Sequence, residues 1–167
     1  MPIYLEPARE VSELYGFKSV LIVLCPMCPA VSLAIRRKQP YMEFFRRLLG
    51  TVALDEHVAA LKDDLEGRGI EAGVFTSYLP LPLMCLWSNG QRNRLRRRAE
   101  GYEAVAIVGC DAATVNATNV LGGTGCQVVQ VMQVAGIVTA IPTLERPGNL
   151  TLKITGPDSV AWPSRPS

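Results

Sequence analysis

The stretch Lys18-Ser-Val-Leu-Ile-Val-Leu-Cys25-Pro-Met-Cys28-Pro29 decides the fold. Over 18–24 it reads as a strand, and its aliphatic run from Val20 to Leu24 is the pattern of a central strand buried on both faces of a parallel sheet. Pro29 falls where the first turn of a helix accepts it, because its fixed φ is helical and the N–H it lacks would have had no partner there. Cys25-Pro-Met-Cys28 is thus a predicted strand-to-helix turn. In an open α/β sheet such turns lie along one edge, and ligand sites form at that edge.

Working outward, helices are predicted over 31–37, 41–49 and 55–66, the last with Val58, Leu61 and Leu65 at helical spacing. Gly67-Arg-Gly69 ends it, a strand covers 71–76, and a Pro-rich loop runs Leu79-Pro-Leu-Pro-Leu-Met-Cys85. A basic helix over 89–100 and a third strand over 104–108 follow, with Gly101 between them. Asp111 heads the next helix as its expected side-chain cap, Gly122-Gly-Thr-Gly125 stops that helix, and a fourth strand is predicted over 127–132. A hairpin of 136–144 and 150–155, turned by Pro147-Gly-Asn149, completes the sheet. Residues 1–16 hold Pro2, Pro7 and a short helix over 8–15. The expected architecture is a three-layer, Rossmann-like α/β domain over 1–156, with a mostly parallel sheet of about four strands and a C-terminal β-hairpin. Residues 157–167 form a Pro/Ser-rich tail, expected loose or laid over a partner.

With 167 residues, 49% of them hydrophobic and only 19% charged, the chain buries a core without disulfide staples and keeps a rather apolar surface. That surface suggests a protein partner or a homo-oligomer. A net charge of +2 gives no general attraction to nucleic acid. Arg92, Arg94, Arg96, Arg97 and Arg98 nevertheless make a local basic run on a helix whose apolar positions are Leu95 and Ala99. The run reads either as a solvated face or as a docking face for an acidic partner. The longest uncharged stretch, 19–35, is interrupted by Pro26 and Pro29, so no membrane span is expected. Leu24 stands where a lipoprotein signal would want a small residue, and no export signal is visible. Five cysteines in such a chain point to a reducing, cytoplasmic compartment, where thiols serve as ligands or redox groups. The sequons at Asn116 and Asn149 then carry no weight.

Cys25, Cys28, Cys85 and Cys110 are all expected at the carboxyl edge of the sheet, a possible four-thiolate set drawn from three strand ends. Thiolates suit zinc, copper(I) and iron–sulfur clusters. Zinc sites usually carry two close pairs in sequence, so the dispersal favours an iron–sulfur cluster with zinc as the alternative. Helices beginning after Cys28 and Cys110 would aim N–H groups at the site, although Pro26 and Pro29 remove two donors. Asp111, Met84 and Trp87 are expected around the ligands, and Met27 on the same edge. Cys126 precedes its strand and reads as core or peripheral. A competing reading makes Cys25 and Cys28 the redox pair of a thioredoxin-like thiol–disulfide oxidoreductase, with Pro142 facing them. The third is a non-catalytic adaptor whose apolar edge and arginine run over 92–98 dock a partner, and plain buried cysteine packed as a small apolar group stands beside all three.

Ile22-Val-Leu-Cys25-Pro-Met-Cys28 together with Val105-Ala-Ile-Val-Gly-Cys110 resembles the iron–sulfur delta subunit of methyl-viologen-reducing hydrogenase, which feeds electrons to heterodisulfide reductase. The resemblance implies an α/β domain with cysteines after successive strands. By position it covers Cys25, Cys28 and Cys110, with Cys85 standing for the middle cysteine. Leu24 occupies the place of that family's first doubled cysteine, and Thr114, Val115 and Asn116 follow Cys110 where it puts a closing thiol. What it implies is a redox subunit that transfers electrons within a larger complex.

His57, the single histidine, lies in a predicted amphipathic helix beside Glu56, which favours a surface or packing role and argues against serine–histidine triads. Gly122-Gly-Thr-Gly125 precedes a strand instead of following one, so it reads as a helix stop and not as a phosphate cradle.

Overall fold

The computed structural model describes residues 3–8, 11–43, 51–145, 148–154 and 160–161. In chain order the elements are β1 Ile3–Pro7, β2 Ser19–Leu24, α1 Cys28–Arg37, β3 Met42–Glu43, α2 Val52–Gly67, β4 Glu71–Thr76, α3 Asn89–Ala99, β5 Ala104–Val108 and α4 Asp111–Leu121. Then come β6 Gln127–Gln130, β7 Met132–Val138, β8 Ala140–Glu145, β9 Asn149–Ile154 and β10 Val160–Ala161. Short 3-10 turns occupy Ser12–Gly16 and Met84–Leu86.

β2 and β5 are buried at every position, as their aliphatic runs require. Each fully buried Leu, Ile or Val side chain there contributes about 2 kcal/mol by leaving water. They form the middle of a parallel sheet ordered β4-β2-β5-β6. α1 packs with α2 and α3 with α4, which gives the helical layers around the sheet. The chain leaves β2 for β4 on one side and β5 for β6 on the other, so the winding reverses between β2 and β5. That reversal is the topological switch point, outside which α/β proteins bind ligands. The register aligns Leu24 with both Thr76 and Val108, so the three strands end level.

The α/β reading holds, with several differences in detail. Residues 3–7 are a strand, β1, paired antiparallel with β7, and the expected helix over 8–15 is replaced by the 3-10 turn. The fourth strand is split at Val131, whose N–H donates to the Ile107 carbonyl in the parallel sheet while its own carbonyl accepts from Ala8 N–H beside β1. The Gln130 side chain clamps the break by donating to the Met132 carbonyl at 2.6 Å. The C-terminal hairpin is β8 against β9, starting at Ala140, because residues 136–138 belong to β7. Within the tail, Val160–Ala161 pairs with β7. The helix predicted over 41–49 falls mostly outside the described residues, and its first part instead pairs Met42 and Glu43 with β9. Among the described residues no helix is long and apolar enough to cross a membrane.

Candidate functional site

Cys25 follows β2, Cys28 opens α1 and Cys110 caps α4 directly after Gly109. Two of these thiols, Cys25 and Cys110, are buried at the switch point. Cys25 N–H donates to the Val108 carbonyl at 3.0 Å, which extends the ladder one residue past the strand and holds the two turns side by side. Gly109 makes that approach possible. A Cβ at this position would stand 2.8 Å from Ala113 Cβ, 3.2 Å from Ile107 Cγ2 and 3.5 Å from Cys25 Cβ. Pro29 sits at the start of α1 and is buried.

Cys85 arrives by a different route. It lies exposed in the 3-10 turn Met84–Leu86, partway along the connection from Ser77 to Ser88. Asn116 Nδ2, from α4, donates to the Met84 carbonyl at 2.7 Å and fixes that turn against the helix that Cys110 heads. Gln91 is fully buried and donates to the Leu81 carbonyl at 2.7 Å and to Ser77 Oγ at 3.2 Å, while completing a capping box with Ser88. Arg94 adds a bond to the Leu79 carbonyl at 2.6 Å.

Cys28 feels the charges of Cys110 and Cys85, and Cys25 those of Cys28 and Cys110. Burial raises the Cys28 pKa, main-chain hydrogen bonds from Ile3 and within Cys28 itself lower it, and the charges of Cys110 and Cys85 raise it further. Burial pushes Cys25 up to about 11, against main-chain donors at Met84 and Met27 and with smaller contributions from Cys28 and Cys110. Cys28 is also felt by the half-buried Tyr41, whose phenol is raised mainly by burial. Among the described residues no three His, Cys, Asp or Glu side chains are arranged to hold a metal ion. Thiolates are the donors that iron–sulfur and four-thiolate zinc centres use. The Trp87 indole N–H, next to this turn, is buried without a partner among the described residues.

Several expected neighbours play other parts. Asp111 is the first residue of α4 and not its cap, and its carboxylate accepts from Gln130 Nε2 at 2.8 Å. Met84 is fully buried, and Trp87 is buried edge-on to Phe75, so both belong to the core beneath the edge. Met27 is half-buried, and Cys126 is half-buried ahead of β6. His57 is half-buried in α2. Pro142 is exposed in β8 opposite Leu152. In α3, Leu95 and Ala99 are buried as expected, while Arg94, Arg96, Arg97 and Arg98 are exposed and Arg92 is half-buried.

Three contributors escaped the sequence reading. The Ile3 main chain reaches Cys28 because β1 lies across α1. Ser32 joins them, accepting from Leu5 N–H at 2.9 Å and donating to the Cys28 carbonyl at 2.8 Å. Asn116 is the third, and its position inside a helix between Val115 and Ala117 was the available signal, since a buried amide there needs a partner. No family model matches this chain, and no curated protein or solved structure does either.

Proposed function

We propose that Cys25, Cys28, Cys85 and Cys110 hold an iron–sulfur cluster, and that the chain is an electron-transfer or accessory subunit of a larger cytoplasmic redox complex. One observation carries the reading: Cys25 N–H donates to the Val108 carbonyl at 3.0 Å, which holds the turns bearing Cys25, Cys28 and Cys110 side by side at the switch point. Main-chain N–H groups of Met27, Met84 and Ile3 directed at sulfur suit a negatively charged cluster, whose potential such donors raise. A bound cluster would supply a reversible electron carrier. The resemblance to the hydrogenase delta subunit points the same way.

Exposed Leu79, Leu81 and Leu86 lie in the same connection as the exposed Cys85, apolar surface fitted to a protein partner. The competing thiol–disulfide reading is weakened by Cys25, because a thiol held near 11 is a poor attacking nucleophile at neutral pH.

Anaerobic purification followed by iron and sulfide analysis and visible absorption tests the proposal. Iron with charge-transfer bands, lost on Cys25→Ser, Cys28→Ser or Cys110→Ser, is expected. Zinc in place of iron would keep the site and remove electron transfer. Metal-free protein with a reversible Cys25–Cys28 disulfide would transfer the assignment to a redox pair. Partner binding unchanged by every Cys→Ser substitution, in metal-free protein, would leave an adaptor.

A further inference from the structure

We infer that the cleft between α3 and α4 binds a phosphate group carried by a small hydroxylated molecule, such as a sugar phosphate. Arg92 and Arg96, one helical turn apart, line an open cleft of about 410 Å³ together with Asn89, Asn93, Asn119 and Val120. Among the described residues no acidic side chain lines it. On α3, Arg94 is engaged by Ser77 and Leu79, whereas Arg92 and Arg96 make no ion pair or side-chain hydrogen bond among the described residues. The Arg92 Nε is buried and has no hydrogen-bond partner among the described residues, so the guanidinium meets the cleft through its terminal N–H groups.

The donor chemistry narrows the ligand. Two guanidiniums offer more N–H groups than one carboxylate can accept, while the oxygens of a phosphate can engage both forks. The three carboxamides supply donors and acceptors together, as hydroxyl groups on the carrier require. A polar, open cleft of this volume suits a small phosphorylated polyol better than an apolar cofactor, since pockets for the latter are chiefly hydrophobic. The cleft is lined by none of the four cysteines, so this inference goes beyond the metal reading and stands or falls separately.

Calorimetric titration of the full chain with ribose 5-phosphate, inorganic phosphate, ribose and citrate tests it. Saturable binding of ribose 5-phosphate and weaker binding of inorganic phosphate are expected, with none of ribose. Arg92→Gln and Arg96→Gln should each weaken binding about tenfold or more, the loss of a charge-assisted pair. Arg98→Gln, on the same helix but outside the cleft, should leave it unchanged. An equal loss with Arg98→Gln would mean unspecific attraction to the helix and would overturn the inference. So would tighter binding of citrate, or no saturable binding below about 20 mM. Because Arg96 is exposed, its variant separates loss of binding from loss of fold even where Arg92→Gln is destabilising.

Discussion

The turns that follow β2 and β5 and the connection that follows β4 bring cysteines to the same edge by opposite means. After β2 and β5 the chain enters a helix almost at once, and Cys25 and Cys110 are buried by the strands that carry them. After β4 it wanders from Ser77 to Ser88, and Cys85 is positioned by side chains from α3 and α4: Gln91, Arg94 and Asn116. The first arrangement is local and rigid. The second depends on tertiary hydrogen bonds and leaves its thiol open to solvent. On the proposed reading, such a site would have fixed ligands and one adjustable ligand, which would suit a centre that must be loaded.

Thiol chemistry gives the largest expected contrast. In metal-free protein at neutral pH, Cys85 should be the first cysteine alkylated by iodoacetamide. Cys25 should react about 100-fold more slowly than an ordinary thiol from its thiolate fraction alone, given a pKa raised from 9.0 to about 11. Mass spectrometry of timed samples checks the order, and early labelling of Cys25 would break the comparison.

Gly109→Val probes the rigid side. The side chain would collide with Ala113 and Ile107, so about 3 kcal/mol of stability should be lost on chemical denaturation. Wild-type stability would show that the two turns are not in close contact. Gln91→Ala probes the other side. It should cost about 2 kcal/mol and speed amide exchange from Ser77 to Ser88, with β2 and β5 unchanged. Exchange that rises equally in both regions would erase the distinction.

The smallest effect belongs to a helix outside both regions. Burial, then the charge of Arg37, holds His57 below its ordinary 6.5 in the folded chain. Between that lowered value and 6.5 the unfolded chain binds the additional proton, so stability falls as pH falls through this window. His57→Gln should flatten the fall in Tm between about pH 7 and 5 by about 2 °C.

The parallel strands were legible because burial on both faces leaves an unbroken aliphatic run, and α1 was legible in its Pro29 start. β1 was hidden, since Ile3–Pro7 carries polar and Pro residues and pairs with β7, far away in sequence. The break at Val131 was hidden too, because a continuous β-forming run does not say which of two sheets each residue's N–H and C=O will join. Asp111 looked like a cap, and only the fold put Gln130 against it.

By itself the sequence determined which residues form the central strands and that Cys25, Cys28 and Cys110 follow them, because periodicity, Pro placement and burial are properties of neighbours along the chain. Only the tertiary structure decided that the winding reverses between β2 and β5, that Ile3 and Met84 turn their main chain toward sulfur, and that Arg92 and Arg96 line a cleft with Asn119. Those are relations between distant segments, set by strand order and by where each buried polar group finds its partner.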